Sequence, residues 1–253
     1  MKWMIVEKGE ELAHVAYQFL KQEIERHPEG LTVGLATGSS PVGVYEEWRK
    51  DSLDCRHVTT VNLDEYVGLS PAHPQSYHTF MQEHLFNDVR FKESFVPIGN
   101  TEDPVKESER YEALVRKRGI DIQLLGIGAN GHIAFNEPGT PFDAKTHVTE
   151  LTESTREANQ RFFDRLEEVP TKAITMGIGT IMEAKKILLV ASSERKAEAV
   201  RDMMEGVATT DCPATVLKRH ADVMVILDEE AASLLSDDAK RTGRAAYLNF
   251  MKA

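Results

Sequence analysis

One segment concentrates groups able to move protons. Gly126-Ile127-Gly128-Ala129-Asn130-Gly131-His132-Ile133-Ala134-Phe135-Asn136-Glu137-Pro138-Gly139 carries one histidine, one carboxylate and two amides. Histidine can take and give a proton near neutral pH, as general acid–base chemistry requires. The apolar run 120–125 before it reads as a buried parallel strand, and open α/β sheets bind ligands just past the carboxyl ends of their strands. Asp64 and Glu65 end a second such strand, 58–63. They are either a solvated loop pair or the place of a general base whose pKa is raised by its neighbour's charge. A third strand, 31–36, runs into Thr37-Gly38-Ser39-Ser40-Pro41. Ser40 reads as the N-cap, and Pro41 as the first residue, of a helix to about residue 50. Free N–H groups and hydroxyls at a helix start suit an anion. A plain capped turn is the alternative, and without a Gly-Lys-Ser/Thr ending the loop is not a Walker loop.

The elements that must position these groups alternate. Runs 3–6, 31–36, 58–63, 120–125, 172–176, 186–191 and 222–227 read as strands. Helical patterns fill 10–26, 76–86 (capped by Ser76), 103–118, 154–167, 192–205 and the chain from 229 onward. Residues 146–151 read as extended. This alternation argues an α/β fold: one doubly wound, mostly parallel, Rossmann-like sheet with helices on both faces, in one domain over 1–253. The helix over 154–167 is polar and carries Arg156, Arg161 and Arg165. It is either a solvated surface helix or a mobile lid, around 150–170, that brings a cation over the site. Lys196 in a helix's first turn opposes the dipole, which hints that it serves an anion.

Composition narrows the partners. The 253 residues are 41% hydrophobic, enough for a full core. Against 41 acidic residues stand 30 basic ones, a net charge of −11, so no basic face is on offer to nucleic acid. An anionic substrate must then be held by a few local cations or helix starts against the overall field. Cys55 and Cys212 are in no metal-ligand spacing and read as buried thiols in a reducing compartment. The apolar run at the N-terminus is too short for a signal peptide, and no stretch approaches membrane-spanning length. A cytoplasmic protein that binds neither nucleic acid nor membrane is expected. His73, His78 and His84 match no metal-ligand pattern. Gly126 to Gly131 fits G-x-G-x-x-G, but a dinucleotide needs a helix immediately after it, and here the turn Asn136-Glu137-Pro138-Gly139 follows instead.

Three blocks carry a family resemblance: Leu35-Ala36-Thr37-Gly38-Ser39-Ser40-Pro41, Asn62-Leu63-Asp64-Glu65-Tyr66-Val67-Gly68-Leu69, and Gly126 through Pro138. They closely resemble the glucosamine-6-phosphate deaminases, and the resemblance continues through 158–163, 176–180 and Lys196-Ala197. The more distant 6-phosphogluconolactonases share the Gly-His core but lack the Asp-Glu-Tyr-Val-Gly-Leu and Phe-Asn-Glu-Pro stretches. The resemblance implies conversion of glucosamine 6-phosphate and water to fructose 6-phosphate and ammonia, without metal or organic cofactor. It implies that His132 opens the sugar ring, that Glu137 orients the imidazole with Asn130 beside it, and that Asp64 moves hydrogen between C2 and C1. It places the phosphate on Gly38, Ser39, Ser40, Arg161 and Lys196. Where activated relatives use basic residues, this chain has His147 and Thr149, and it is shorter at its C-terminus. Hyperbolic kinetics and a monomer or small homo-oligomer are therefore expected. The enzymatic alternative is a sugar-phosphate lactonase. A sugar-phosphate sensor would need a DNA-binding domain, for which the chain has neither the length nor the basic face.

Many family members carry aspartate where this chain has Asn130. An aspartate would add a charge that favours the protonated imidazole, whereas an asparagine can only hydrogen-bond. Activity is expected to persist to lower pH than in an aspartate-bearing relative. In the variant Asn130→Asp the acid limb of the pH–rate profile should move upward; an unmoved limb contradicts this.

Overall fold

Parallel strands covered on both faces read as largely apolar runs; 31–35, 58–62 and 122–125 are buried throughout, with Thr32, Thr59, Thr60, Asn62 and Gln123 as their polar members. The computed structural model describes residues 1–252. In chain order the elements are β1 (Lys2–Val6), α1 (Gly9–Arg26), β2 (Leu31–Leu35), α2 (Val42–Lys50), β3 (Val58–Asn62), β4 (Asp64–Tyr66) and α3 (Tyr77–Met81). Then come β5 (Glu93–Phe95), α4 (Pro104–Arg118), β6 (Ile122–Leu125), β7 (His147–Glu150), α5 (Glu153–Asn159), β8 (Lys172–Thr175) and α6 (Ile178–Ile181). The chain ends with β9 (Lys186–Ala191), α7 (Ala197–Glu205), β10 (Val223–Asp228) and α8 (Asp237–Phe250).

Seven strands form one parallel sheet in the order β1-β10-β9-β6-β2-β3-β5. The side chains of β2, β3 and β6 are all buried. One face packs Leu12, Leu20 and Ile24 of α1 with Val44, Tyr45 and Trp48 of α2. The other packs Tyr111 and Val115 of α4, Ile178 and Ile181 of α6, and Val200 and Met203 of α7. Helix α8 lies along the edge strand β1, where the Trp3 indole N–H donates to the Ala239 carbonyl at 3.0 Å. This is the doubly wound α/β arrangement read from the alternation. No helix among the described residues is long and apolar enough to cross a membrane.

The strand order contains a switch. From β2 the chain steps to β3 on one side, while β6, β9 and β10 build outward on the other. The β2–β6 pairing is short, Val33 opposite Ile122 and Gly34 opposite Gln123. Loops leaving the carboxyl ends of β2 and β6 therefore diverge around a crevice, where such sheets bind ligands.

Four local expectations are corrected. Strands β4, β8 and β7 leave the main sheet and form a separate antiparallel one. The chain turns into it at Leu63, whose N–H still donates to Leu35 in the main sheet while its carbonyl accepts from Met176. Ser40 does not cap α2: Pro41 holds the cap position in helical conformation, with no side-chain cap. The polar helix over 154–167 runs only to Asn159, tightens into a 3-10 turn, and at Phe163 becomes extended. There the Phe163 ring packs edge-on against Tyr66, 5.9 Å between centroids. Residues 229–235 are turns, and the last helix begins at Asp237.

Candidate active site

The loops after β2, β3 and β6 enclose a cavity of about 770 Å³. Asp64, Asn130, His132, Gly38, Ser39, Ser40, Arg161 and Lys196 all line it. Glu137 does not; it stands behind Asn130 and is buried.

Asp64 and Glu65 are both buried, so they are not a solvated loop pair. The turn at Leu63 gives them opposite surroundings. Glu65 Oε1 accepts from the backbone N–H groups of Tyr66 at 2.8 Å and Tyr77 at 2.9 Å, and Oε2 accepts from His78 at 3.0 Å. It thereby fastens the start of α3. Asp64 faces the cavity and accepts no hydrogen bond from a described residue. Burial, and then the charge of Glu65, push the Asp64 carboxyl up to about 8. Burial also raises Glu65, to about 7, against the three N–H donors that favour its charge. Of the two, Asp64 is the carboxyl with nothing but the cavity to satisfy it.

The imidazole is held by a relay. His132 Nδ1 lies 2.7 Å from Asn130 Oδ1, and Asn130 Nδ2 donates to Glu137 Oε2 at 2.8 Å. With its amide N–H directed at a carboxylate, Asn130 can only accept at Oδ1, so Nδ1 carries the proton and Nε2 is left as a base. His132 Nδ1 is 3.6 Å from Glu137, so the carboxylate orients the ring through the amide rather than directly. Glu137 Oε1 accepts from the Thr155 hydroxyl and, at 3.3 Å, from Thr152. Burial opposes ionisation of Glu137, but the imidazole, Thr155 and Asn130 hold its carboxyl down at about 2. The second amide, Asn136, is a staple: its Nδ2 donates to Ile133 at 3.0 Å and Met176 at 2.9 Å.

Two glycines of the rejected dinucleotide fingerprint have a different use. A Cβ on Gly128 would sit 2.3 Å from the His132 ring. Gly131 has φ +82, and a Cβ there would meet Cys212 Sγ at 2.4 Å. The loop closes on itself through the Gly128 N–H to the His132 carbonyl at 2.8 Å.

Elsewhere on the cavity wall the residues suit an anion. Ser39 and Ser40 are not spent on capping α2, and Arg161 Nη2 approaches Ser39 Oγ at 3.4 Å. Lys196 ends a 3-10 turn at the start of α7. Burial, then the charges of Arg161 and Arg195, lower its pKa. Arg195 is a cation that sequence reading missed, although it adjoins Lys196. Also missed were Thr37 and Tyr77 on the cavity wall. Tyr77 stacks on Phe135, 6.0 Å between ring centroids. Ser193 has φ +81, fixed by its N–H donating to Asp228 at 3.0 Å, which shapes the turn presenting Arg195 and Lys196. Among the described residues no group of three His, Cys, Asp or Glu side chains is arranged to hold a metal ion. His73 is engaged locally, its Nδ1 accepting from the Gln75 N–H at 3.0 Å.

A bare buried carboxyl and an oriented imidazole thus face one crevice that cations also line, on a doubly wound α/β sheet. The chain matches the family described as glucosamine-6-phosphate isomerases/6-phosphogluconolactonase over residues 7–226, and belongs to it. It is 86% identical over 252 residues to a glucosamine-6-phosphate deaminase of Exiguobacterium sibiricum, covering 100% of both chains. It is 57% identical over 250 residues to one from another Exiguobacterium, covering 99% of this chain and 98% of that one. A solved monomeric glucosamine-6-phosphate deaminase superimposes with TM-score 0.90 at 47% identity, covering 92% of this chain and 100% of that one. The 6-phosphogluconolactonase of Trypanosoma cruzi, at 20% identity and TM-score 0.76 over 93% of this chain and 97% of its own, shares the fold.

The Asp64 carboxyl, raised to about 8, lies above an unfolded aspartate at about 4. Between those values the folded chain keeps a proton that the unfolded chain has released, so stability falls as pH rises through that window. Asp64→Asn should therefore raise the melting temperature most near pH 8 and little near pH 4. Thermal melts of the ligand-free proteins check this; a variant no more stable than the parent at the higher pH contradicts it.

Proposed function

We propose that the chain converts glucosamine 6-phosphate and water to fructose 6-phosphate and ammonia. The observation that carries this reading is that Asp64 and His132 face one cavity whose wall also carries Ser39, Ser40, Arg161 and Lys196. The phosphate sits on the N–H groups and hydroxyls of 38–40 and on the two cations. This local charge offsets the net charge of −11.

The ring opens first. His132 Nε2 takes the proton of the C1 hydroxyl and returns one to the ring oxygen as the C1–O bond breaks, leaving an aldehyde. Glu137 and Asn130 keep Nδ1 protonated through both transfers. Asp64 then lifts the C2 proton while the C2 ammonium passes one of its own to the aldehyde oxygen, giving an enolamine; Asp64 returns its proton to C1, leaving a hydroxymethyl group there and a protonated imine at C2. Water adds to the imine carbon, and the carbon–nitrogen bond breaks to release ammonia. A carbon acid needs a base stronger than an exposed carboxylate, and burial supplies that strength. A cationic amine at C2 beside Asp64 would favour the ionised carboxyl when substrate binds.

Residues around 150–170 act as a lid over a single domain spanning 1–253; the approach of Arg161 to Ser39 supports that role. The free, buried thiols of Cys55 and Cys212 support a reducing, cytoplasmic setting. Two cations and two hydroxyls on the cavity wall favour a phosphorylated small molecule as the partner, taken by a monomer or small homo-oligomer.

Ammonia release from glucosamine 6-phosphate tests the reading. The parent should release it, and Asp64→Asn should lose about 10³-fold in kcat, the scale of a positioned general base. A parent that releases no ammonia but opens 6-phosphogluconolactone, with Asp64→Asn as active as the parent, would turn the assignment to lactone hydrolysis.

A further inference from the structure

Helix α5 and the turn that continues it touch the site at three points. Near the start, the Thr155 hydroxyl donates to Glu137 Oε1, and Thr152 Oγ1 reaches the same oxygen at 3.3 Å and Thr155 Oγ1 at 3.0 Å. At the end of α5, Asn159 Nδ2 donates to the Tyr66 hydroxyl at 2.9 Å, two residues from Asp64. Just beyond, Arg161 approaches Ser39.

The Thr155 hydroxyl is not needed by its own helix. Thr152 is the N-cap and accepts from the Thr155 N–H. A threonine inside a helix commonly turns its hydroxyl back to a carbonyl one turn earlier. Thr155, 5% exposed, instead spends it on a carboxylate from another segment. A carboxylate is a rigid plane, so fixing Oε1 fixes where Oε2 meets Asn130. The Asn130 amide in turn decides which nitrogen of His132 carries the proton. His132, at 3.6 Å, is the one charged or titratable group within ion-pair distance of Glu137 among the described residues; Asn130, Thr152 and Thr155 are neutral.

We propose that Thr155 is a positioning residue of the ring-opening relay, and that through it α5 ties the setting of His132 to the phosphate-binding residues of the cavity. This rests on the function proposed above. Partners that orient a working group in this way cost about ten- to a hundredfold in activity when removed.

The test compares Thr155→Val, which keeps the shape and removes the hydroxyl, with Thr155→Ser, which keeps the hydroxyl. Thr155→Val should lower kcat for glucosamine 6-phosphate about ten- to a hundredfold, with KM changing less. Its acid limb should move upward, because a Glu137 carboxylate with one donor fewer leaves the His132–Asn130–Glu137 relay readier to take up a proton. Thr155→Ser should recover most of kcat and the parent's limb. Nitrogen NMR of the His132 ring in the ligand-free protein should show Nδ1–H in the parent and a mixture of tautomers in Thr155→Val. That readout holds whether or not the parent acts on this sugar, so a failed substrate assignment is distinguished from a failed positioning role. Parental kcat, limb and tautomer in Thr155→Val would overturn the proposal. So would equal losses in the valine and serine variants, which would mark Thr155 as packing alone.

Discussion

The site depends on two adjacent carboxylates buried at the turn from β3 into β4. Burying a charge without partners is costly, and a group so placed tends to keep its proton. Three backbone N–H donors relieve Glu65 and none relieves Asp64. The asymmetry makes one carboxyl a fastener for α3 and leaves the other bare in the cavity. The same turn carries β4 out of the parallel sheet and into the small antiparallel one, so that fold and chemistry share one bend at Leu63.

Across the cavity the logic is reversed. Glu137 is buried as well, yet it is held in its charged form, because an amide, two hydroxyls and an imidazole surround it. One carboxylate is left bare to gain basicity, and the other is fully engaged to orient a ring. The relay is compact only because Gly128 leaves room for the imidazole. Elsewhere on the wall Arg161, Arg195 and Lys196 meet despite their mutual repulsion.

Much of this was legible in the chain itself. Period and alternation gave the doubly wound sheet, and the strand-end rule brought Asp64, His132 and the 38–40 loop toward one crevice. What escaped depended on tertiary context. The burial of Asp64 and Glu65 follows from a small antiparallel sheet of three- and four-residue strands, too short for any periodicity to reveal. Ser40 has the composition of a cap, but Pro41 already sits in helical conformation and takes that position. The placement of Asn130 between His132 and Glu137 is set by a backbone turn, not by spacing, and Thr155 meets Glu137 from 18 residues away. Arg195 is exposed like an ordinary surface residue, and only the turn at Ser193 shows that it borders the cavity.

The central claim is that Asp64 owes its basicity to burial beside a carboxylate that has taken all the local donors. Carbon NMR of the Asp64 carboxyl in the ligand-free protein, assigned against Asp64→Asn, measures this directly. The account predicts a titration centred near about 8. A midpoint at the ordinary aspartate value of about 4 would contradict it.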